Sequence, residues 1–195
     1  MSTMQGERPL RADAQRNREK LLTVAVAAFA EHGIEASLED IARRAGVGIG
    51  TLYRHFPTRD CLMEAVYRHQ VERLCAAATD LVATKGPDEA LTLWMEQFVA
   101  YVATKRGMAM ALKAVIGKDS ELFAYCHGLI RESVSMLLTA AAESGDIRSD
   151  VDAPDLLRAL SGICLVSDQP DWQDQARRLV SLLHDGLRYG APGSA

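Results

Sequence analysis

The sequence predicts an all-α chain: a small N-terminal three-helix unit followed by a larger helical body. Three observations carry this. Apolar residues recur at spacings of three and four along most of the chain, no sustained period-two alternation appears, and Gly33, Gly46, Pro57, Gly86-Pro87 and Gly145 punctuate the apolar runs.

Taken in order, residues 1–12 read as a disordered tail, polar and carrying Gly6 and Pro9. From Asp13 to Glu31 there is no Gly or Pro, and Leu22, Ala25 and Phe29 repeat at helical spacing until Gly33 stops the helix. Ser37 precedes Leu38-Glu39-Asp40, an N-cap followed by acids where the helix dipole favours them. This second helix is short and closes at Ala45-Gly46. A third short helix starts after Gly48, holds Thr51 to His55 and ends before Pro57. Thr58 opens a long helix to about Thr84, which Gly86-Pro87 breaks. Five further helices are expected at about 88–104, 107–116, 120–144, 153–166 and 171–188, with Asp152 and Pro154 a good helix start and Gly145 a good stop. The division follows: a tail over 1–12, a three-helix unit over 13–57 and a body over 58–189.

Of the 195 residues, 48% are hydrophobic and 25% charged, which suits a globular chain and argues against long disordered tracts. No apolar run approaches the roughly 18–20 residues needed to span a bilayer, and no apolar leader follows the first basic residues, so a cytoplasmic protein without a membrane partner is expected. Cys61, Cys75, Cys126 and Cys164 are widely spaced, with no C-x-x-C and no His pair at ligand spacing. Free, mostly buried thiols are expected, with no metal and no cofactor.

The net charge of −4 disfavours a polyanionic partner only until its distribution is read. Residues 1–60 carry nine Arg/Lys against eight Asp/Glu, the remainder thirteen against eighteen, and Arg43, Arg44, Arg54 and Arg59 share the window 41–59 with no acid. A basic patch on an acidic body orients a molecule on nucleic acid.

Two short helices joined by a tight Gly-containing turn form a helix-turn-helix candidate. Ile41, Ala42, Ala45, Val47 and Leu52 supply its inner face, and Gly46 sits where the chain reverses, a position that often needs positive φ. Gly48, Gly50, Thr51, Tyr53, Arg54 and His55 are left pointing outward, a set suited to close approach and hydrogen bonding with phosphates and base edges. Any αα-corner shares the apolar pattern, but the wording is more specific. The stretch Ile41-Ala42-Arg43-Arg44-Ala45-Gly46-Val47-Gly48-Ile49-Gly50-Thr51-Leu52-Tyr53-Arg54-His55-Phe56, with Phe29-Ala30-Glu31-His32-Gly33 before it and Leu62-Met63-Glu64-Ala65 after it, closely resembles the signature of the TetR family of regulators. The resemblance covers roughly residues 14–66.

What the resemblance implies is DNA contact at Ser37, Thr51, Tyr53, His55 and Arg59, mostly to phosphates; the outward face and the basic window add Gly48, Arg54 and Arg44 to the expected interface. Gly48 departs from the Ser often found there, so a hydroxyl contact is expected to be missing, and the loop from Gly33 to Ser37 looks one residue shorter than in many relatives. TetR-like proteins also bind a small effector in the body. A pocket is expected near Trp94, Phe98, Tyr101, Phe123 and His127, the first three lying on one helix face as a plain core stripe would. The two C-terminal helices, carrying Leu156, Leu160 and Ile163 and then Trp172, Ala176, Leu179, Leu183 and Leu187, are implied to form a homodimer interface.

The expected function is therefore a sequence-specific regulator, a repressor that binds a near-palindromic double-stranded operator as a dimer and leaves it when an effector binds. The alternative is a helical ligand-binding or architectural DNA-binding protein without operator specificity. An enzyme is not expected, since no G-x-S-x-G, H-E-x-x-H or phosphate-loop spacing exists.

Overall fold

A computed structural model of the chain describes residues 7–116, 121–165 and 171–189, and among these every regular element is helical. The order is α1 (Glu7–His32), a 3₁₀ turn (Gly33–Glu35), α2 (Leu38–Arg44), α3 (Ile49–His55), α4 (Arg59–Thr84), α5 (Pro87–Ile116), α6 (Glu121–Glu143), α7 (Ala153–Leu165) and α8 (Trp172–Arg188).

Most helix ends follow the local chemistry. The Ser37 hydroxyl accepts from the Asp40 N–H at the start of α2, and the Asp152 carboxylate accepts from the Asp155 N–H at 2.8 Å at the start of α7. Gly145 takes φ +80 after α6, where the Asp146 N–H reaches back to the Ala141 carbonyl at 3.0 Å, closing the helix in a left-handed cap. Pro87 is the first residue of α5, where its missing N–H costs nothing.

Two expectations need correcting. The tail expected over 1–12 is helical from Glu7 onward, six residues before the expected start at Asp13; residues 1–6 lie outside the described residues. Pro9 falls in the first turn of α1, where a proline is tolerated, so it does not delay the helix. The helices expected at 88–104 and 107–116 are one helix, because α5 runs through Gly107. An interior glycine costs only about 1 kcal/mol relative to Ala, and the buried series Tyr101, Thr104, Met108 and Leu112 continues the packed face across it. The described body ends of the other helices agree with expectation to within a residue, while residues 120 and 166 lie outside the described residues.

The chain forms two compact units. One comprises the described residues up to His69 together with those from Thr104 to the end of α5, so it takes in the first part of α4 beyond the expected boundary at Pro57. Its core is built on Leu22, Phe29, Ile41, Leu52, Leu62 and Val66, each fully buried. The Arg18 guanidinium lies over the Phe56 ring, and the Lys105 ammonium over the Tyr67 ring. The other unit holds Gln70 to Ala103 and the described residues from α6 onward. There the buried Trp94 donates its indole N–H to the Leu74 carbonyl at 2.9 Å, tying α5 to α4, and His184 on α8 meets Asp88 on α5 at 2.7 Å.

Candidate nucleic-acid interface

The helix-turn-helix is set by its inner face and its turn. Ile41, Ala42 and Leu52 are almost fully buried and Ala45 nearly so, which leaves Val47 half-buried at the rim. Gly46 adopts φ +71, and the Val47 N–H donates to the Ala42 carbonyl at 3.0 Å across it. A side chain at Gly46 would meet no neighbour, so backbone conformation alone calls for glycine there. Gly48 then caps α3 with no side-chain hydrogen bond, in keeping with the missing hydroxyl.

With Leu52 turned inward, the opposite face of α3 is presented outward. Tyr53 is 45% exposed, Arg54 and Gly50 are exposed, and Thr51 and His55 are half-buried. The His55 and Phe56 rings are tilted at 46° with centroids 6.1 Å apart, which fixes the imidazole against the unit. Arg54 folds along its own helix, its Nε donating to the Gly50 carbonyl at 3.2 Å and its Nη2 to the Thr51 hydroxyl at 2.9 Å.

The other cations differ from a simple reading of the charge window. Arg43 pairs with Asp40 one helical turn back. Arg44 lies 3.7 Å from Asp40 and 3.5 Å from Glu31 at the end of α1. The Arg43 guanidinium, with help from Arg44, holds the Asp40 carboxyl below its ordinary range. So the patch is screened by acids just outside residues 41–59. Asp40 could have been found from its i,i+3 and i,i+4 spacing; Glu31 is brought in only by tertiary packing.

Ser37 is exposed and its hydroxyl is engaged twice, accepting from the Asp40 N–H at 3.2 Å and donating to a Glu39 carboxylate oxygen at 3.1 Å. Thr58 caps α4 by accepting from the Cys61 N–H at 3.1 Å. Arg59 is half-buried and donates from Nη1 to the Ala36 carbonyl at 2.7 Å, a partner that no sequence spacing signals.

In the body, the five residues expected at an effector pocket fall into two groups. Trp94, Phe98 and Tyr101 are buried along one face of α5, successive ring centroids 5.7 Å apart. On α6, Phe123 is half-buried and His127 exposed, their rings 6.1 Å apart. Two hollows lie elsewhere. One of about 360 Å³ runs between the end of α6 and the start of α7, past Ser135, Thr139, Arg148 and Asp152. The second, about 470 Å³, is an apolar trough over Ile163, Leu179, Leu182, Leu183 and Leu187 on α7 and α8. Arg148, which borders both, is clasped by Asp150 at 2.5 and 2.6 Å.

Among the described residues no cluster of three metal-ligating side chains occurs, and no helix is long and apolar enough to cross a membrane. All four cysteines are free thiols, with Cys126 and Cys164 buried, Cys75 half-buried and Cys61 exposed.

Comparison with known proteins agrees with this helical architecture along most of the chain. Residues 21–66 match the family described as bacterial regulatory proteins, tetR family, and residues 86–189 match the C-terminal domain described as transcriptional regulator SbtR-like. The chain is 31% identical over 187 residues to the HTH-type transcriptional repressor KstR2 of Rhodococcus jostii, covering 87% of this chain and 90% of that one. A TetR transcriptional regulator from Streptomyces coelicolor superposes with a TM-score of 0.82 at 48% identity, over 88% of this chain and 98% of the other. A TetR transcription regulatory protein from Mycobacterium vanbaalenii does so with a TM-score of 0.76 at 37% identity, over 92% and 99%.

Proposed function

The chain belongs to the TetR family of bacterial transcriptional regulators, which bind DNA and are not enzymes, and from that premise we propose that it is a repressor acting as a homodimer on a near-palindromic operator and released by a small-molecule effector. The observation that carries this reading is the outward face of α3, where Tyr53, Arg54 and Gly50 are exposed although the same short helix buries Leu52 completely. A phenol, a guanidinium and a hydroxyl displayed on a rigid helix suit phosphates and base edges, and have no packing role on that side. Ser37, Arg44, Gly48, Thr51 and His55 complete the proposed interface, and Arg59, first residue of α4, belongs to the same head.

The partner is proposed to be a second copy of the chain, seated on the α7–α8 trough. Leu182 is 67% exposed and Leu179 39% exposed, while Ala176, Val180, His184 and Leu187 of the same helix point into their own subunit. A helix apolar on both sides needs a second surface to cover it. In a two-fold dimer the two α3 helices would sit about 34–36 Å apart to enter successive major grooves, and an effector that favours another spacing weakens operator binding by its differential affinity for the two states. The effector site is proposed at the aromatic set Trp94, Phe98, Tyr101, Phe123 and His127, whose composition suits an apolar ligand.

The test is to capture genomic fragments on the full-length protein, then measure affinity for the enriched duplex and for random duplex of equal length. A specific-to-random ratio above about 1,000 is expected. Replacing Tyr53 and His55 together by Ala should reduce that ratio at least tenfold. An unchanged ratio would remove α3 as the reading helix, and no enrichment at all would favour a binder without operator specificity.

A further inference from the structure

We infer that Arg59 acts as a positioning residue of the reading head, fixing the N-terminus of α2 to the first turn of α4, and is not a phosphate contact. This deepens the operator-binding reading above and rests on it for its consequence, though not for its geometry.

Arg59 is the first residue of α4, yet its Nη1 is turned back to the Ala36 carbonyl, 23 positions earlier, at 2.7 Å. Ala36 is 1% exposed and lies between the 3₁₀ turn and the Ser37 cap, outside either helix. Its carbonyl therefore has no helical donor, and away from water it needs one from elsewhere. The guanidinium supplies it. The next residue, Ser37, then caps α2 through the Asp40 N–H, so the Arg59–Ala36 bond holds the residue before the α2 cap against the residue that starts α4. Both lie in the N-terminal compact unit.

The chemistry of the two roles differs. A guanidinium on a phosphate releases counterions and gives affinity that depends on salt but not on sequence. A guanidinium on a buried carbonyl sets where α2 and its N-terminal amides lie, and so affects fit to the operator more than to random DNA. Because α4 continues into the second unit, a displacement of its first turn would pull on Ala36 and Ser37 through the Arg59 bond.

The experiment compares full-length wild type, Arg59→Met and Arg59→Lys by two readouts. Amide hydrogen exchange of the DNA-free proteins is followed over residues 36–44, and binding of the enriched fragment and of random duplex is followed by fluorescence anisotropy at four salt concentrations. Arg59→Met keeps the aliphatic stem and loses every donor. It is expected to exchange faster at 36–41, to lose tenfold or more in operator affinity and less than about threefold on random duplex, with a salt slope within one unit of wild type. Arg59→Lys, which keeps the charge, is expected to show faster exchange over the same residues. The proposal is overturned if exchange is native in both variants, or if Arg59→Met lowers the salt slope by about one per head. A global loss of stability would speed exchange throughout and lower both affinities alike, and that outcome also counts against it. If the wild type enriches no fragment, operator binding fails as a reading, while the exchange comparison still decides the tie between α4 and α2.

Discussion

Replacing Leu182 by Ala tests the proposed dimer through a residue that the subunit itself hardly uses. Leu182 is 67% exposed, so the variant should fold with unchanged helicity, and any effect belongs to what covers it. Fully burying a leucine is worth about 2 kcal/mol. A partner that covered the exposed two-thirds would gain about 1.3 kcal/mol, most of which Ala cannot supply. A two-fold interface uses the residue twice, so the expected loss is about 2–3 kcal/mol, or a dimer dissociation constant raised about 30- to 150-fold. Sedimentation across a concentration series measures it directly. Because two linked heads bind far more tightly than one, half-saturation of the operator should shift to higher protein concentration in parallel. A dissociation constant within threefold of wild type, or a wild type monomeric at tens of micromolar, would refute the argument that the α7–α8 trough seats a second copy.

Asp40→Asn should release Arg43 and Arg44 from their shared acid, raising affinity for random duplex by roughly two- to tenfold and steepening its salt slope; an unchanged slope would mean the arginines reach no phosphate. The depressed Asp40 pKa carries a matching pH sign. Its ion pairs stabilise α2 above the ordinary carboxylate range and are lost as the pH falls through the lower folded value, so acid melts of wild type, but not of the Asn variant, should show that contribution. Alkylation mapped by mass spectrometry should find Cys61 modified first. Cys75 should lag by about tenfold or more, because burial pushes its thiol pKa up and leaves less thiolate. The buried Cys126 and Cys164 should react only on unfolding, and early modification of either would contradict the packing of α6 and α7.

The legible parts of this fold are those where one residue's chemistry decides the local conformation. Ser37 and Asp152 announce helix starts through their own side-chain oxygens, and Gly46 and Gly145 announce reversals that need positive φ. Where a helix continues because of what packs on it, local signals misled. From sequence, one helix ends at about 104 and another starts at 107, yet Met108 and Leu112 extend the buried face of α5 past that point. The candidate interface divides in the same way. Exposure of Tyr53 and Arg54 follows from helical phase against Leu52, but the partners of Arg44 and Arg59 lie on α1 and before α2, at sequence distances no periodicity reports.

That division changes what can specify an operator. Four arginines in one short window suggest a strongly electrostatic head, but Arg43 and Arg44 face acids and Arg59 holds a carbonyl. Arg54 is the remaining member, resting on Gly50 and Thr51 rather than on an acid; swinging it outward would break hydrogen bonds to two uncharged acceptors and, among the described residues, no ion pair. Gly48 and Gly50 add no side chain, and a Cβ at either would meet nothing within 4 Å in the chain itself. The fold therefore does not require these glycines, and in the proposed reading a close approach of the helix to a groove would use them. On the same proposed reading, base discrimination is then concentrated in Thr51, Tyr53 and Arg54. On the proposed dimer, the rest of the selectivity would come from the spacing of two heads and from how readily the intervening DNA accepts it, so weakening the dimer should cost specificity as well as affinity.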